Sequence, residues 1–356
     1  MKRLQLLATL LLPACTWAAP TAPAPALDAQ ARQDVIEHLI DEMNRRYVFP
    51  DVARRVEAAL RADGARAFDG ITDGREFAAR LTRSLQDVTH DKHVRVRYSD
   101  APVPVRQRPD DDRPTPAQLA AWREEESKRN FGVERVERLP GNIGYVELRG
   151  FAPAPLAAPA LAAAMTLVAH ADALVIDLRR NGGGDPETVA LVCSYLFEHR
   201  THLNDLQWRE GDRIEQFWTQ EWVPGERYGE TKPVYVLTSS HTFSGAEEFS
   251  YNLRALGRAT LVGETTGGGA NPGDLRRLTE HFEVFVPTGR AVNPITKTNW
   301  EGVGVEPHVK TTASLALSTA EALALRALID REQDGERRGA LQKRLDDVQK
   351  TLGAPG

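Results

Sequence analysis

The chain has 356 residues, of which 41% are hydrophobic and 27% charged, enough apolar material to bury a substantial core. Its formal charge of -5 and the lack of any long basic block exclude nucleic acid as an expected partner. Beyond the first residues no run approaches the roughly 20 apolar residues of a membrane span.

The first element, "MKRLQLLATLLLPACTWAAPTAPAPALD", sets Lys2 and Arg3 before an uncharged apolar run from Leu4 to Ala19, the pattern of a secretory signal over 1–19. "TWAA" offers ordinary cleavage, which ranks first, and "LLPAC" a lipoprotein-like site with a lipid anchor on Cys15. Loss of Lys2 and Arg3 takes the charge to -7, and Cys193 is left alone, so the mature chain has no intramolecular disulfide. Residues 27–97 read as a helical N-terminal domain, with Val35, Ile36, Leu39, Ile40 and Met43 on one face of the first helix. Residues 98–138 read as a linker, with five prolines and Asp110 to Asp112 in its first part and a short polar helix after it.

From 139 to 312 the pattern is strand and helix in alternation. "NIGYVELRGF", "DALVIDLR", "KPVYVLTSS" and "ATLVGET" are strands, and "DPETVALVCSYLFEH" and "GAEEFSYNLRALG" have helical period, which predicts a parallel sheet with right-handed crossovers. Residues 201–228 read as a projecting hairpin turning at Gly211-Asp212, its Trp208, Phe217, Trp218 and Trp222 packing it onto the domain rather than forming a peptide-binding rim. The tail, 313–356, is helical.

Ligands of a parallel sheet collect where strands give way to helices, and two such corners stand out. In "VIDLRRNGGGDPETV" three glycines turn the chain before Asp185 and Pro186 start a helix, leaving backbone amides uncovered. The Walker and G-x-G-x-x-G patterns are absent, which argues against a nucleotide. In "YVLTSSHTFSGAEEFSYNL", Ser244 and Glu247 spell a capping box, so spacing alone favours a cap; the functional alternative is a nucleophile in the positive potential of a helix N-terminus, with Gly245 as an oxyanion donor. No short pattern supplies its base. His90 and His93 in "THDKH" have the spacing of metal ligands on a helix but lack a third, and the direction of His241 is unreadable. Asp177 and Arg179 read as fixing a corner, Cys193 as core, and Asn181 and Thr266 as turn-forming.

"ALVIDLRRNGGG", "VYVLTSSHTFSGAEEF", "GRATLVGETTGGGA" and "PTGRAVNPITKTNWEGVGVEPHV" resemble, in order and spacing, the core of the C-terminal processing (tail-specific) serine peptidases. "LQDVTHDKHVRVRY" and "LPGNIGYVELRGF" resemble the branch containing interphotoreceptor retinoid-binding protein and the catalytic core of tricorn protease. The resemblance implies an α/β fold with a ClpP/crotonase-like core and no metal or organic cofactor; many members insert a PDZ domain, but only the proline-rich linker and a short helix fit between Arg97 and Leu139, so none is expected here. It places the nucleophile at Ser244, the base at His93 and an orienting carboxylate at Glu301, with the amides of Gly183 and Gly245 as oxyanion hole. Members with a Ser/Lys dyad carry lysine where this chain has Gly269, which excludes that mechanism. A serine beside the histidine in tricorn-like members is here Lys92, so the link from Glu301 to His93 is expected to be direct, through water, or missing. The function implied is an exported serine endopeptidase, periplasmic or secreted, acting on peptides or unfolded protein. The alternatives are a non-catalytic binder of apolar ligands on the same scaffold and a crotonase-like acyl-CoA enzyme.

Overall fold

The computed structural model describes residues 27–63, 65–105 and 115–353; the signal segment with Cys15 and the middle of the proline-rich linker lie outside them. Helix α1 (Ala29–Arg46) starts where the Asp28 carboxylate accepts from Ala31 N–H, and its stripe of Val35, Ile36, Leu39, Ile40 and Met43 is buried. It packs with α2 (Pro50–Asp63) and α3 (Gly74–Thr89), the latter capped by Asp73 and burying Phe77, Leu81 and Leu85. The helices do not close a core by themselves. Strand β1 (Arg95–Tyr98) alternates exposed arginine with buried valine and carries the chain into a sheet completed far downstream.

After α4 (Pro116–Ser127), a polar helix that buries nothing, come β2 (Val133–Leu139), β3 (Ile143–Leu148), α5 (Ala154–Val168), β4 (Ala173–Asp177) and α6 (Pro186–Ser194). The hairpin of β5 (His202–Trp208) and β6 (Ile214–Trp218) follows, then β7 (Val234–Thr238), α7 (Gly245–Ala255) and β8 (Thr260–Gly263). Strands β9 (Gly273–Arg277), β10 (Phe282–Pro287), β11 (Gly289–Val292) and β12 (Val309–Lys310) precede α8 (Ala316–Arg331) and α9 (Gly335–Gly353).

The central sheet has the order β12-β8-β7-β4-β3-β2, parallel except for β2 at its edge. Strand β4 is buried along its whole length, as a central parallel strand covered on both faces must be. Val146, Leu174, Ile176 and Val236 point towards α5, α6 and α7, while Tyr145, Val175 and Leu237 point towards Ala320, Ala324 and Leu325 of α8. The result is a three-layer α/β domain with crossover helices. Two small sheets lie beside it: β11-β5-β6, and β1-β10-β9, in which Val96 of the N-terminal segment opposes Val284.

That last sheet joins the two parts of the chain. Leu278, Phe282, Val284 and Val286 complete the same apolar cluster as α1, α2 and α3. The hairpin meets its expected packing role in part. Phe217 packs into the main core and Trp208 against it, but both also line a cleft, Trp218 stacks on His202, and Trp222 stands exposed.

Candidate active site

The site begins where β4 and β7 end side by side. Beyond β4, buried Asn181 ties the two corners: its carbonyl accepts from Phe243 N–H at 3.1 Å and its Oδ1 from Gly183 N–H at 2.8 Å. Gly183 has φ +104°, and a Cβ there would stand 2.7 Å from both Gly245 N and Ser244 Cβ. Only glycine allows the two loops to approach this closely. Among the described residues, Gly184 N–H and Gly245 N–H donate to no carbonyl or side chain.

Ser244 sits at φ 51°, ψ -121°, a left-handed conformation that costs a non-glycine residue about 1–3 kcal/mol. This differs from the extended backbone of an ordinary N-cap. The Ser244 hydroxyl makes no capping bond, and what forms is the Glu247 half of the box, with Oε2 accepting Ser244 N–H at 2.9 Å. Glu247 is fully buried and reaches further. Its Oε1 accepts from Thr266 Oγ1 (2.5 Å) and Gly268 N–H (2.6 Å), and Oε2 also accepts from Gly269 N–H (2.8 Å). Burial raises its pKa while these four donors oppose the rise. Sequence reading took Glu247 for a cap; the structure makes it a buried clasp between the serine corner and residues 266–269.

His90 and His93 do not share a helix face, because α3 ends at Thr89 with His90 as a left-handed C-cap. The His93 ring lies 4.6 Å from that of Phe243 and 5.8 Å from that of Phe285. A Cβ at Gly269 would come within 2.7 Å of His93 Cε1. The imidazole therefore occupies the space that a side chain at Gly269 would enter, at the position where the resemblance puts lysine in dyad members. His93 and Ser244 line one cavity of about 760 Å³, with Trp208, Phe217, Pro272 and Phe285 among its walls. His241 is exposed and lies outside that lining.

Burial, with Arg95 adding to it, holds the His93 pKa down at about 4. Its Nδ1 is buried without a hydrogen-bond partner, and so is Oε1 of Glu301. The other Glu301 oxygen accepts from Ala270 N–H at 2.5 Å, and burial next to Asp91 raises its pKa. Asp91 is the site residue that sequence reading missed. Almost wholly buried, it accepts the His93 backbone N–H at 2.9 Å through Oδ1, which lies 3.7 Å from His93 Nδ1. Lys92 turns away to the carbonyl of Gly267 at 2.5 Å. Among the described residues, Asp91, His93 and Glu301 bring their donor atoms within 4.8 Å of one another, which makes them the group best placed to approach a metal ion.

Other expectations meet their places. Asp177 and Arg179 pair at the strand corner, Tyr145 Oη donates to Asp177 at 2.7 Å, and Arg179 also donates to the carbonyl of Ala313. Thr266 bonds both Glu247 and Val305 N–H, and Cys193 is core.

Residues 142–311 match the model of Peptidase family S41, and residues 27–135 match that of the N-terminal domain of Peptidase_S41 in eukaryotic IRBP. Among solved structures, the chain is similar to a Bacteroides fragilis protein assigned to the S41 proteases, at 14% identity over 89% of this chain and 97% of that one, with a TM-score of 0.54. It is also similar to a lipoprotein from Streptococcus agalactiae (13% identity, 89% and 99% covered, TM-score 0.53). A Parabacteroides merdae protein assigned as a peptidase gives 20% identity over 79% and 90%, with a TM-score of 0.52. These likenesses share the fold. With two models of one family matched in order along it, the chain belongs to peptidase family S41, the serine-type peptidases.

Proposed function

We propose that this serine peptidase is an exported endopeptidase working through an acyl-serine intermediate. The observation that carries the reading is the backbone of Ser244: a strained, left-handed serine with an uncommitted hydroxyl, in the same cavity as a buried imidazole and beside an unengaged Gly245 N–H. His93 Nε2 takes the Ser244 Oγ proton as Oγ attacks the peptide carbonyl, and then delivers it to the leaving amine. Water, deprotonated by the same nitrogen, releases the acid and restores the serine. Gly245 N–H and the Gly183–Gly184 turn stabilise the oxyanion. Gly183, the donor expected from the sequence, is held by Asn181 in the resting chain, so its use requires that bond to be exchanged, whereas Gly184 N–H needs no exchange. Glu301, with a carboxylate oxygen within 4.8 Å of a ring nitrogen, steadies the base.

The apolar cleft walls give the binding-protein reading its one favourable observation. A fluorophosphonate separates the two, because a hydrolase is labelled at Ser244 and a binder is not. Incubation of the mature protein and its Ser244→Ala variant with a mixed peptide pool, read by mass spectrometry, tests cleavage. Cuts that persist in the variant would end the proposal. Export, to the periplasm or beyond, rests on residues 1–19, with lipid attachment at Cys15 as the alternative processing, and a mass measurement on the mature N-terminus decides between them.

A further inference from the structure

We infer that Asp91 is the positioning residue that fixes the tautomer of His93, acting alongside Glu301. The inference rests on His93 being the base. For Nε2 to accept the serine proton, the single proton of the neutral ring must sit on Nδ1, and a carboxylate next to Nδ1 is what holds it there. Asp91 Oδ1 lies 3.7 Å from that nitrogen, and one oxygen each of Asp91 and Glu301 lies within 4.8 Å of a ring nitrogen of His93.

Their surroundings differ. Asp91 is clamped: Oδ1 accepts His93 N–H (2.9 Å), and Oδ2 accepts Asn271 Nδ2 (2.9 Å) and Tyr47 Oη (3.3 Å). These donors come from the histidine's own turn, from the loop before β9, and from the end of α1. Burial raises the Asp91 pKa, and these hydrogen bonds to its charged form oppose the rise. Glu301 has one oxygen on Ala270 N–H and the other without a donor, a setting that favours its neutral form. Two acids this close in a buried site do not both ionise easily, so the negative charge settles on Asp91. When Nε2 gains the serine proton, that charge stabilises the imidazolium; Asp91 itself takes up no proton. The other charged or titratable groups facing this trio are Arg95, Tyr47, Glu247 and Lys92, the last engaged with the Gly267 carbonyl.

The test is ¹⁵N NMR of the histidine rings in the full-length mature chain, alongside kinetics on a cleaved peptide. Wild type should show His93 protonated on Nδ1. Asp91→Asn should move the proton to Nε2 and lower kcat by on the order of 10²-fold or more, with KM within about twofold. Glu301→Gln should keep the Nδ1 proton and lose less. Should Asp91→Asn fail to fold, Tyr47→Phe removes one clamp away from the cleft and should move the acid limb of the kcat/KM profile to higher pH without changing KM. An Nδ1 proton and kcat that both survive Asp91→Asn, or an unmoved profile in Tyr47→Phe, would overturn the inference. Full turnover in His93→Ala is a separate result, which removes the base and the inference with it.

Discussion

Glu247 Oε2 accepts the N–H of Ser244 and the N–H of Gly269 at 2.9 and 2.8 Å, so one buried carboxylate oxygen sets the distance between the serine corner and the loop that backs His93. Replacement by glutamine turns one of the two oxygens into a donor facing donors. Glu247→Gln should lose about 2–4 kcal/mol of stability. Its kcat should also fall by roughly tenfold or more in the fraction that folds. Urea melts and active-site titration measure the two separately, and a variant within 0.5 kcal/mol of wild type would show that the clasp is idle.

Gly269 is bounded by rings. A methyl group there would lie 2.2 Å from Phe243 Cζ as well as against His93, so Gly269→Ala must push both aside. Because a displacement of about 1 Å at a catalytic group costs on the order of 10²-fold, kcat should fall by that amount while KM changes little. Gly183→Ala adds backbone strain to overlap and should give both lower stability and lower kcat.

The depressed pKa of His93 sets the acid behaviour. A base must be neutral to work, so kcat/KM should hold through mildly acidic pH and drop as pH falls through about 4. The same shift acts on stability. The folded pKa lies below the unfolded value of about 6.5, so the unfolded chain binds the proton first and folding stability declines from about pH 6.5 down towards 4. Melting profiles of wild type and His93→Gln should converge above that window and separate within it. An acid limb near pH 7 would show that the carboxylates outweigh burial.

Glu248 titrates in the opposite sense. Complete burial, with Asp185 adding to it, pushes its pKa up to about 8. The folded chain therefore holds this proton more tightly than the unfolded one, and stability is lost as pH rises from about 4.5 through 8. Glu248→Gln removes that liability and should be the more stable protein at pH 9, by a few kcal/mol, in urea melts.

The parts legible in the sequence are those whose signal is local. Strands β4 and β7 are unbroken apolar runs because both their faces are covered, and α6 and α7 carry helical period between them. The Gly211-Asp212 turn is plain in the sequence, and both residues adopt positive φ. Strand β1 was hidden because its pairing with β10 joins residues nearly 190 positions apart, as Arg95 opposing Phe285 illustrates. Ser244 and Glu247 left two readings open, since Ser-x-x-Glu looks the same whether the hydroxyl caps the helix or stands free; the Glu247 half of the box forms and the hydroxyl half does not. Asp91 was overlooked for a related reason: a carboxylate two residues before a histidine has no periodic signature, and only the turn after α3 folds it back beneath the ring.

Strand β1 is stitched to β10, and three residues separate α3 from His93. The segment 142–311 that matches the peptidase model thus carries the serine but not the imidazole. On the proposed mechanism, competence belongs to the seam between the two parts: anything that unzips β1 from β10, whether gentle heat, a competing strand or a bulky change at Val96, would silence hydrolysis while the main sheet stays intact.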